Sequence, residues 1–192
     1  KKLNLYSKQL KELLYDSVKL RFRADVPVGS CLSGGLDSSS IVCLGKNILS
    51  NSNVNNIDKL QHTFSAVYDN EKISEKKYID IVLEKTGVNG YFVYPTAEIL
   101  SNEIENFVYH LDEPFLSTSM YAQWNVMRLA KEKNVTVLLD GQGSDEIFAG
   151  YEWHLPIYYA ELFKKVKYQK LFKEVNKISQ LRNKTILKTS FD

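Results

Sequence analysis

Leu32-Ser33-Gly34-Gly35-Leu36-Asp37-Ser38-Ser39 follows an apolar run, Val26-Pro27-Val28-Gly29-Ser30-Cys31, and opens a helical pattern of Ile41, Val42, Leu44, Ile48 and Leu49. A buried extended segment, a glycine break and a helix in that order make the repeating unit of an α/β sheet, whose ligands sit beyond the carboxyl ends of the strands. Two adjacent glycines let the main chain come close to an anion, and the helix behind them presents unpaired N–H groups at its positive dipole end. Serine hydroxyls at positions 33, 38 and 39 add donors, and Asp37 is a carboxylate suited to a magnesium ion that offsets phosphate charge. The Gly-Lys-Ser/Thr ending of a Walker A loop is missing. A tight turn with a helix cap would explain an isolated Gly-Gly pair, but it explains the whole string poorly.

The units on either side repeat the pattern. Leu3, Tyr6, Leu10, Leu13, Leu14, Val18 and Phe22 recur at steps of three and four, which predicts an amphipathic helix that Pro27 and Gly29 close off. An Asn-rich connector over 51–56 reads as a solvated loop. Further strands are predicted at His62–Tyr68, Tyr91–Tyr94 and Val135–Leu139, each rich in β-branched or aromatic residues. Between them lie helices from Ser74 to Thr86, stopped by Gly87, from Thr96 to His110, and from Ser119 to Lys133. This alternation predicts an α/β fold: a doubly wound, mostly parallel sheet with helices on both faces. Apolar strands with little alternation fit a sheet covered on both sides.

A second chemistry-bearing segment closes the last strand: Asp140-Gly141-Gln142-Gly143-Ser144-Asp145-Glu146, running on to Tyr151. Acids at a helix start are ordinary dipole complements when they stand alone. With the first loop they supply the further carboxylate and main-chain donors that an adenylating site requires.

The first string resembles the signature of the PP-loop ATP pyrophosphatases, which cleave ATP to an adenylate and pyrophosphate. The two segments together resemble the synthetase domain of the glutamine-dependent asparagine synthetase family. That resemblance runs from about Leu13 to Tyr151 and includes His62-Thr63-Phe64-Ser65 and the Asp112-Glu113-Pro114 turn. It implies adenylation of a side-chain carboxylate, usually that of aspartate, followed by displacement of AMP by ammonia. It also implies ATP and Mg2+ as cofactors and ammonia drawn from glutamine by a glutaminase domain in the parent chain. Carried over residue by residue, main chain near Cys31, Leu32 and Ala66 would hold adenine. Ser33, Gly34, Gly35, Asp37, Ser38 and Ser39 would hold pyrophosphate and magnesium. Asp140 and Gly141 would contact ribose or the α-phosphate, and Asp145 would serve the metal–pyrophosphate.

Three features depart from the family pattern. Gln142 stands where asparagine-forming members usually carry Glu, at the acyl-adenylate and the incoming ammonia. An amide positions groups by hydrogen bonds but takes no proton near neutral pH. Such a Gln resembles variants from surface-polysaccharide and specialised amide-forming pathways, where the acceptor is not always aspartate. The N-terminal-cysteine glutaminase domain with which complete members begin is not among these residues, which start at Lys1, and the residues after Tyr151 show no match to the family's later lysine segment. Residues 1–151 therefore read as the synthetase domain and 152–192 as a helical tail leading into a truncated part, with the isolated fragment inactive. Lysines at 164, 165, 167, 170, 173 and 177 of that tail read as the solvated face of an irregular helix.

Composition narrows the alternatives. Across 192 residues, Lys+Arg 25 against Asp+Glu 23 leaves +2, so a general nucleic-acid or anionic-membrane binder is disfavoured. That balance also argues against a tRNA-modifying adenylase. No apolar run reaches the roughly 20 residues of a membrane span. Cys31 and Cys43 have no disulfide or zinc spacing, read as packing residues, and point to a cytoplasmic chain. Two alternatives stay open: another PP-loop ligase, lactam-forming or a surface-polysaccharide amidotransferase, and a nucleotide-binding module that has lost catalysis.

Overall fold

The computed structural model describes residues 2–51, 62–70 and 73–182. It separates into two compact units, Lys1–Gly141 and Gln142–Asp192. In the first unit, helix α1 (Lys2–Arg21) leads to β1 (Val28–Cys31), and the glycine loop opens α2 (Leu36–Ser50). Next come β2 (His62–Ala66), α3 (Lys76–Thr86), β3 (Asn89–Val93), α4 (Ala97–Leu111), α5 (Thr118–Glu132) and β4 (Val137–Leu139).

The four strands lie in the order β3-β2-β1-β4, and every neighbouring pair is parallel. Cys31 is paired with Phe64 on β2, and Ser30 with Leu139 on β4. From β1 the chain steps outward through β2 to β3, then returns to lay β4 along the other side of β1. The strand order reverses at that point, and sheets of this kind take their ligands there, beyond the carboxyl ends of the strands. The doubly wound parallel sheet expected from the alternation is present.

Helices cover both faces. Leu32, Val42, Val67 and Ile79 form one core with Val82, Leu83, Val88 and Phe92, fastening α2 and α3 to the sheet. Phe64, Val126, Ala130 and Val135 form the other, flanked by Cys31, Ala66, Tyr91, Val93 and Leu138, under α5. Phe64 is fully buried and stacks on Tyr91, with ring centroids 5.5 Å apart. Removing such a ring typically costs about 3–5 kcal/mol.

Several boundaries differ from the sequence expectation, each for a local reason. Strand β3 begins at Asn89, before the apolar run, because Gly90 lets it pass beneath Leu83. A Cβ on Gly90 would lie 2.5 Å from Leu83 Cδ1. Helix α2 starts at Leu36, and its N-cap, Gly35, gives no side-chain cap; Asp37 already lies inside the first turn. Gly87 does close α3 in the left-handed conformation, and Thr96 caps α4 by accepting from the Ile99 N–H. Cys43 is exposed, so only Cys31 packs as expected. Of the Asn-rich connector, Asn51 ends α2, while 52–56 lie outside the described residues.

In the second unit, α6 (Ser144–Phe148) is followed by α7 (His154–Lys164) and α8 (Tyr168–Arg182). The single irregular helix expected for the lysine-rich stretch is broken at Lys165–Lys167, where Val166 takes a φ of 56°. Leu162 and Val175 are buried within this unit, while Phe163, Tyr168 and Phe172 remain exposed. Among the described residues, no helix is long and apolar enough to cross a membrane.

Candidate functional site

The loop after β1 is held by its own serines. Ser38 is buried; its Oγ accepts from the Ser33 N–H at 3.2 Å and lies 3.0 Å from Ser33 Oγ. The same Ser38 hydroxyl approaches the Gly35 carbonyl at 3.4 Å, and the Gly35 N–H donates to Ser33 Oγ at 3.3 Å. Ser33 and Ser38 thus shape the loop as well as lining it. Ser39 differs: its Oγ is sealed from solvent and has no hydrogen-bond partner in the structure.

The two glycines divide the work between them. Gly34 has a φ of 87°, and a Cβ there would lie 3.0 Å from Tyr78 Cβ and 3.2 Å from the Glu75 carbonyl, at the start of α3. Gly34 is therefore fixed by conformation and by close packing. At Gly35 a Cβ would meet only Ser33 Oγ, at 3.3 Å, so this part of the loop has an open side next to the uncapped turn of α2.

The turn after β4 comes up against this loop. A Cβ on Gly141 would stand 3.1 Å from both Asp37 Cβ and the Ser38 nitrogen. Asp140, one residue earlier, lies beside Cys31, whose thiol is pushed up to about 12, first by burial and then by the charge of Asp140 and a hydrogen bond to it. Cys31 is therefore a neutral thiol at physiological pH, unsuited to nucleophilic attack.

Leu32 is buried. Its N–H donates to the Phe64 carbonyl at 3.0 Å, and its carbonyl accepts from Ser65 Oγ at 2.6 Å. Its N–H is thereby taken up within the sheet, whereas Cys31 and Ala66 are partly exposed on neighbouring strands.

Within the first unit the structure thus brings together Cys31, Leu32, Ser33, Gly34, Gly35, Asp37, Ser38, Ser39, Asp140 and Gly141, with Ala66 at the end of the adjoining strand. Gln142 and Asp145 belong to the second unit. Gln142 is exposed there; Asp145 is half-buried, its carbonyl accepting from the Gly150 N–H at 3.0 Å. A Cβ on Gly150 would collide with the Asp145 carboxylate, so the glycine leaves room for that side chain. Tyr151 Oη donates to Glu146 at 2.9 Å, and the carboxylate holds the phenol above its ordinary value. Among the described residues, no group of three or more His, Cys, Asp and Glu is gathered as a metal cage.

Two contacts at the site escaped the sequence, although Ser65 itself stands in the quoted His62-Thr63-Phe64-Ser65 string. Ser65 ties β2 to Leu32, and Gln123 on α5 donates from Nε2 to Asp140 Oδ2 at 3.4 Å. Gln123 and Asp140 are 17 residues apart, and no local pattern marks either as the other's partner.

Comparison with known proteins matches residues 9–190 to the asparagine synthase family, a wider span than Leu13–Tyr151. A Methanocaldococcus jannaschii protein assigned as asparagine synthetase [glutamine-hydrolyzing] 2 is 38% identical over 156 residues, covering 81% of this chain and 28% of that protein. Asparagine synthetase [glutamine-hydrolyzing] 1 of Bacillus subtilis is 35% identical over 144 residues, covering 75% of this chain and 21% of its own length. An amidase, chyE, from Penicillium rubens is 27% identical over 149 residues, covering 74% of this chain and 22% of that protein. The chain spans between about a fifth and three-tenths of these relatives' lengths. With the family match running through nearly all of its residues, the chain belongs to the asparagine synthase family.

Proposed function

We propose that this chain is the synthetase portion of a ligase that activates a carboxylic acid with ATP and converts it to an amide. The acid oxygen attacks the α-phosphorus and pyrophosphate leaves. Ammonia then attacks the acyl carbon, AMP departs, and the ammonium proton passes to solvent or a nearby base. The observation that carries this reading is the meeting of the Ser33–Ser39 loop with the Asp140–Gly141 turn where the strand order reverses.

The residues present suit the triphosphate. Gly35 leaves the loop open, and α2 begins without a side-chain cap. In this reading the Gly34 N–H, the exposed Ser33 hydroxyl and the first-turn N–H groups of α2, that of Ser38 among them, hold pyrophosphate oxygens. Ser39, its Oγ sealed from solvent and its N–H given to the Gly35 carbonyl at 3.1 Å, backs the loop. Adenine lies near Cys31, Leu32 and Ala66. Magnesium, when bound, would neutralise phosphate charge, and Asp37 is the carboxylate of the first unit that would hold it, in keeping with an ion that takes one or two protein oxygens plus phosphates and water.

Ammonia comes from glutamine in a glutaminase domain elsewhere in the full-length protein, as the names of the glutamine-hydrolysing relatives support. Two free thiols, Cys31 and Cys43, fit a cytoplasmic setting. Gln142 bears on the acceptor. Its neutral side chain, which takes no proton near neutral pH, fits a carboxylate other than free aspartate.

Calorimetric titration of the full-length protein with ATP–Mg tests the site. Binding is expected, with Asp37→Ala weakening it at least about tenfold through loss of a charged contact. Equal affinity in both proteins contradicts the assignment.

A further inference from the structure

We infer that Gln123 is a positioning residue that holds the Asp140 carboxylate as the acceptor for the ribose hydroxyls of the nucleotide. This rests on the nucleotide reading above and names a residue outside it. Asp140 ends β4 beside β1, and the next residue, Gly141, touches Asp37 and Ser38 of the anion loop. The carboxylate therefore lies next to the phosphate cradle. An ionised carboxylate accepts hydrogen bonds and repels phosphate oxygens; of the nucleotide's donors, the ribose hydroxyls stand nearer the phosphates than the adenine amine does, so they fit a carboxylate placed beside the cradle. The Gln123 amide approaches one of its oxygens, Oδ2, at 3.4 Å, and Cys31 lies against the same side chain.

The helix carrying Gln123 is itself firmly held. Arg128 on α5 donates from Nη1 to Glu103 Oε1 on α4 at 2.9 Å and from Nη2 to Asn125 Oδ1 at 2.6 Å. Tyr121 Oη donates to the other oxygen of Glu103 at 2.9 Å, and Asn125 Nδ2 donates to the Tyr121 carbonyl at 2.9 Å. Tyr121 and Asn125, on either side of Gln123 in sequence, are buried. An amide carried on such a support fixes the direction of a carboxylate that would otherwise rotate freely at the end of a strand.

The experiment is a calorimetric titration of the full-length protein with ATP, 2′-deoxy-ATP and 3′-deoxy-ATP, in wild type, Gln123→Leu and Gln123→Glu. Glu keeps the shape of Gln but replaces the donor by a charge that repels Asp140, whereas Leu removes the donor without adding charge, so an effect common to both follows from loss of the amide contact. Wild type is expected to prefer ATP over at least one deoxy form by about tenfold, the scale of a hydrogen bond to a charged group. Both variants are expected to reduce that preference to about threefold or less, with unchanged melting temperatures. Equal weakening of all three nucleotides, with the ratio preserved, overturns the inference, as does full retention of the ratio in Gln123→Glu. A wild type that binds all three nucleotides alike overturns this inference alone. One that binds none overturns the nucleotide reading and this inference with it.

Discussion

A Cβ placed on Gly141 would stand 3.1 Å from Asp37 Cβ, so the turn after β4 rests directly on the first turn of α2. This contact joins two segments about a hundred residues apart in sequence. Gly141→Ala forces one of them to yield by a few tenths of an ångström. The expected result is a loss of about 1 kcal/mol in stability, small for an overpacked site, with a several-fold drop in ATP affinity. Unchanged ATP affinity in a folded Gly141→Ala protein would show that the contact does not shape the site.

Gly34 and Gly87 make a controlled pair. Both take positive φ, but a Cβ on Gly34 would crowd Tyr78 at 3.0 Å, whereas nothing lies within 4 Å of one on Gly87. Gly87→Ala is expected to cost about 1 kcal/mol, from conformation alone. Gly34→Ala adds overpacking and is expected to cost about 2–4 kcal/mol in total. Chemical denaturation of both variants measures the difference, and equal midpoints would rule out the crowding at Gly34.

Cys31 and Cys43 are expected to differ sharply in reactivity. Cys43 is exposed, and iodoacetamide should modify it within an ordinary labelling time at pH 8. Burial and Asp140 hold the Cys31 thiol at about 12, so it should resist, and Asp140→Asn should speed its labelling by removing the negative charge. The folded value lies above the 9.0 of a free thiol, so the unfolded chain loses this proton first. The contribution to stability is therefore complete below about pH 9 and declines toward pH 12, by up to about 1.4 kcal/mol per pH unit. Peptide mass analysis reads the labelling. Melts of wild type and Cys31→Ala from pH 8 to 10.5 read the slope, and parallel slopes would contradict the account.

Arg128 links α4 to α5 through Glu103 and also lies over the Trp124 ring, 4.7 Å from its centroid. The Arg128 hydrogen bond is the main reason the Glu103 carboxyl stays below its ordinary value. Both side chains are partly exposed, so solvent screens the pair, and Arg128→Ala is expected to cost only about 1 kcal/mol. The carboxyl contribution is present above the ordinary Glu range and is lost as pH falls through the folded value. The stability difference between wild type and Glu103→Gln should therefore narrow on acidification, and a gap that widens below pH 4 would be inconsistent with the ion pair.

The parallel sheet was legible because each strand is a short apolar run ended by glycine, proline or acid, at a spacing only crossover helices satisfy. Its glycine loop was legible too, since Gly34, Gly35 and the serines are contiguous. The Asn89 start of β3 was hidden, because Gly90 looks like a turn residue until Leu83 is seen above it. Ser33 and Ser38 looked like ligand donors, whereas both also shape the loop. Gln123 was invisible because its partner is distant in sequence and a polar residue on an exposed helix face carries no signal. The break at Val166 was missed for a similar reason: a β-branched residue is a poor sequence marker for positive φ.

The central claim is that the Ser33–Ser39 loop supports adenylation of an acid, with Gln142 marking an acceptor other than free aspartate. Its most direct test is ATP–pyrophosphate exchange by the full-length protein across a panel of acids including aspartate, uronic sugars and peptide carboxylates. The account predicts exchange that depends on an acid other than free aspartate and is lost in Asp37→Ala. Exchange stimulated by aspartate alone would overturn the reading of Gln142 and leave adenylation standing. Absence of exchange with every acid, or full exchange in Asp37→Ala, would contradict the claim itself.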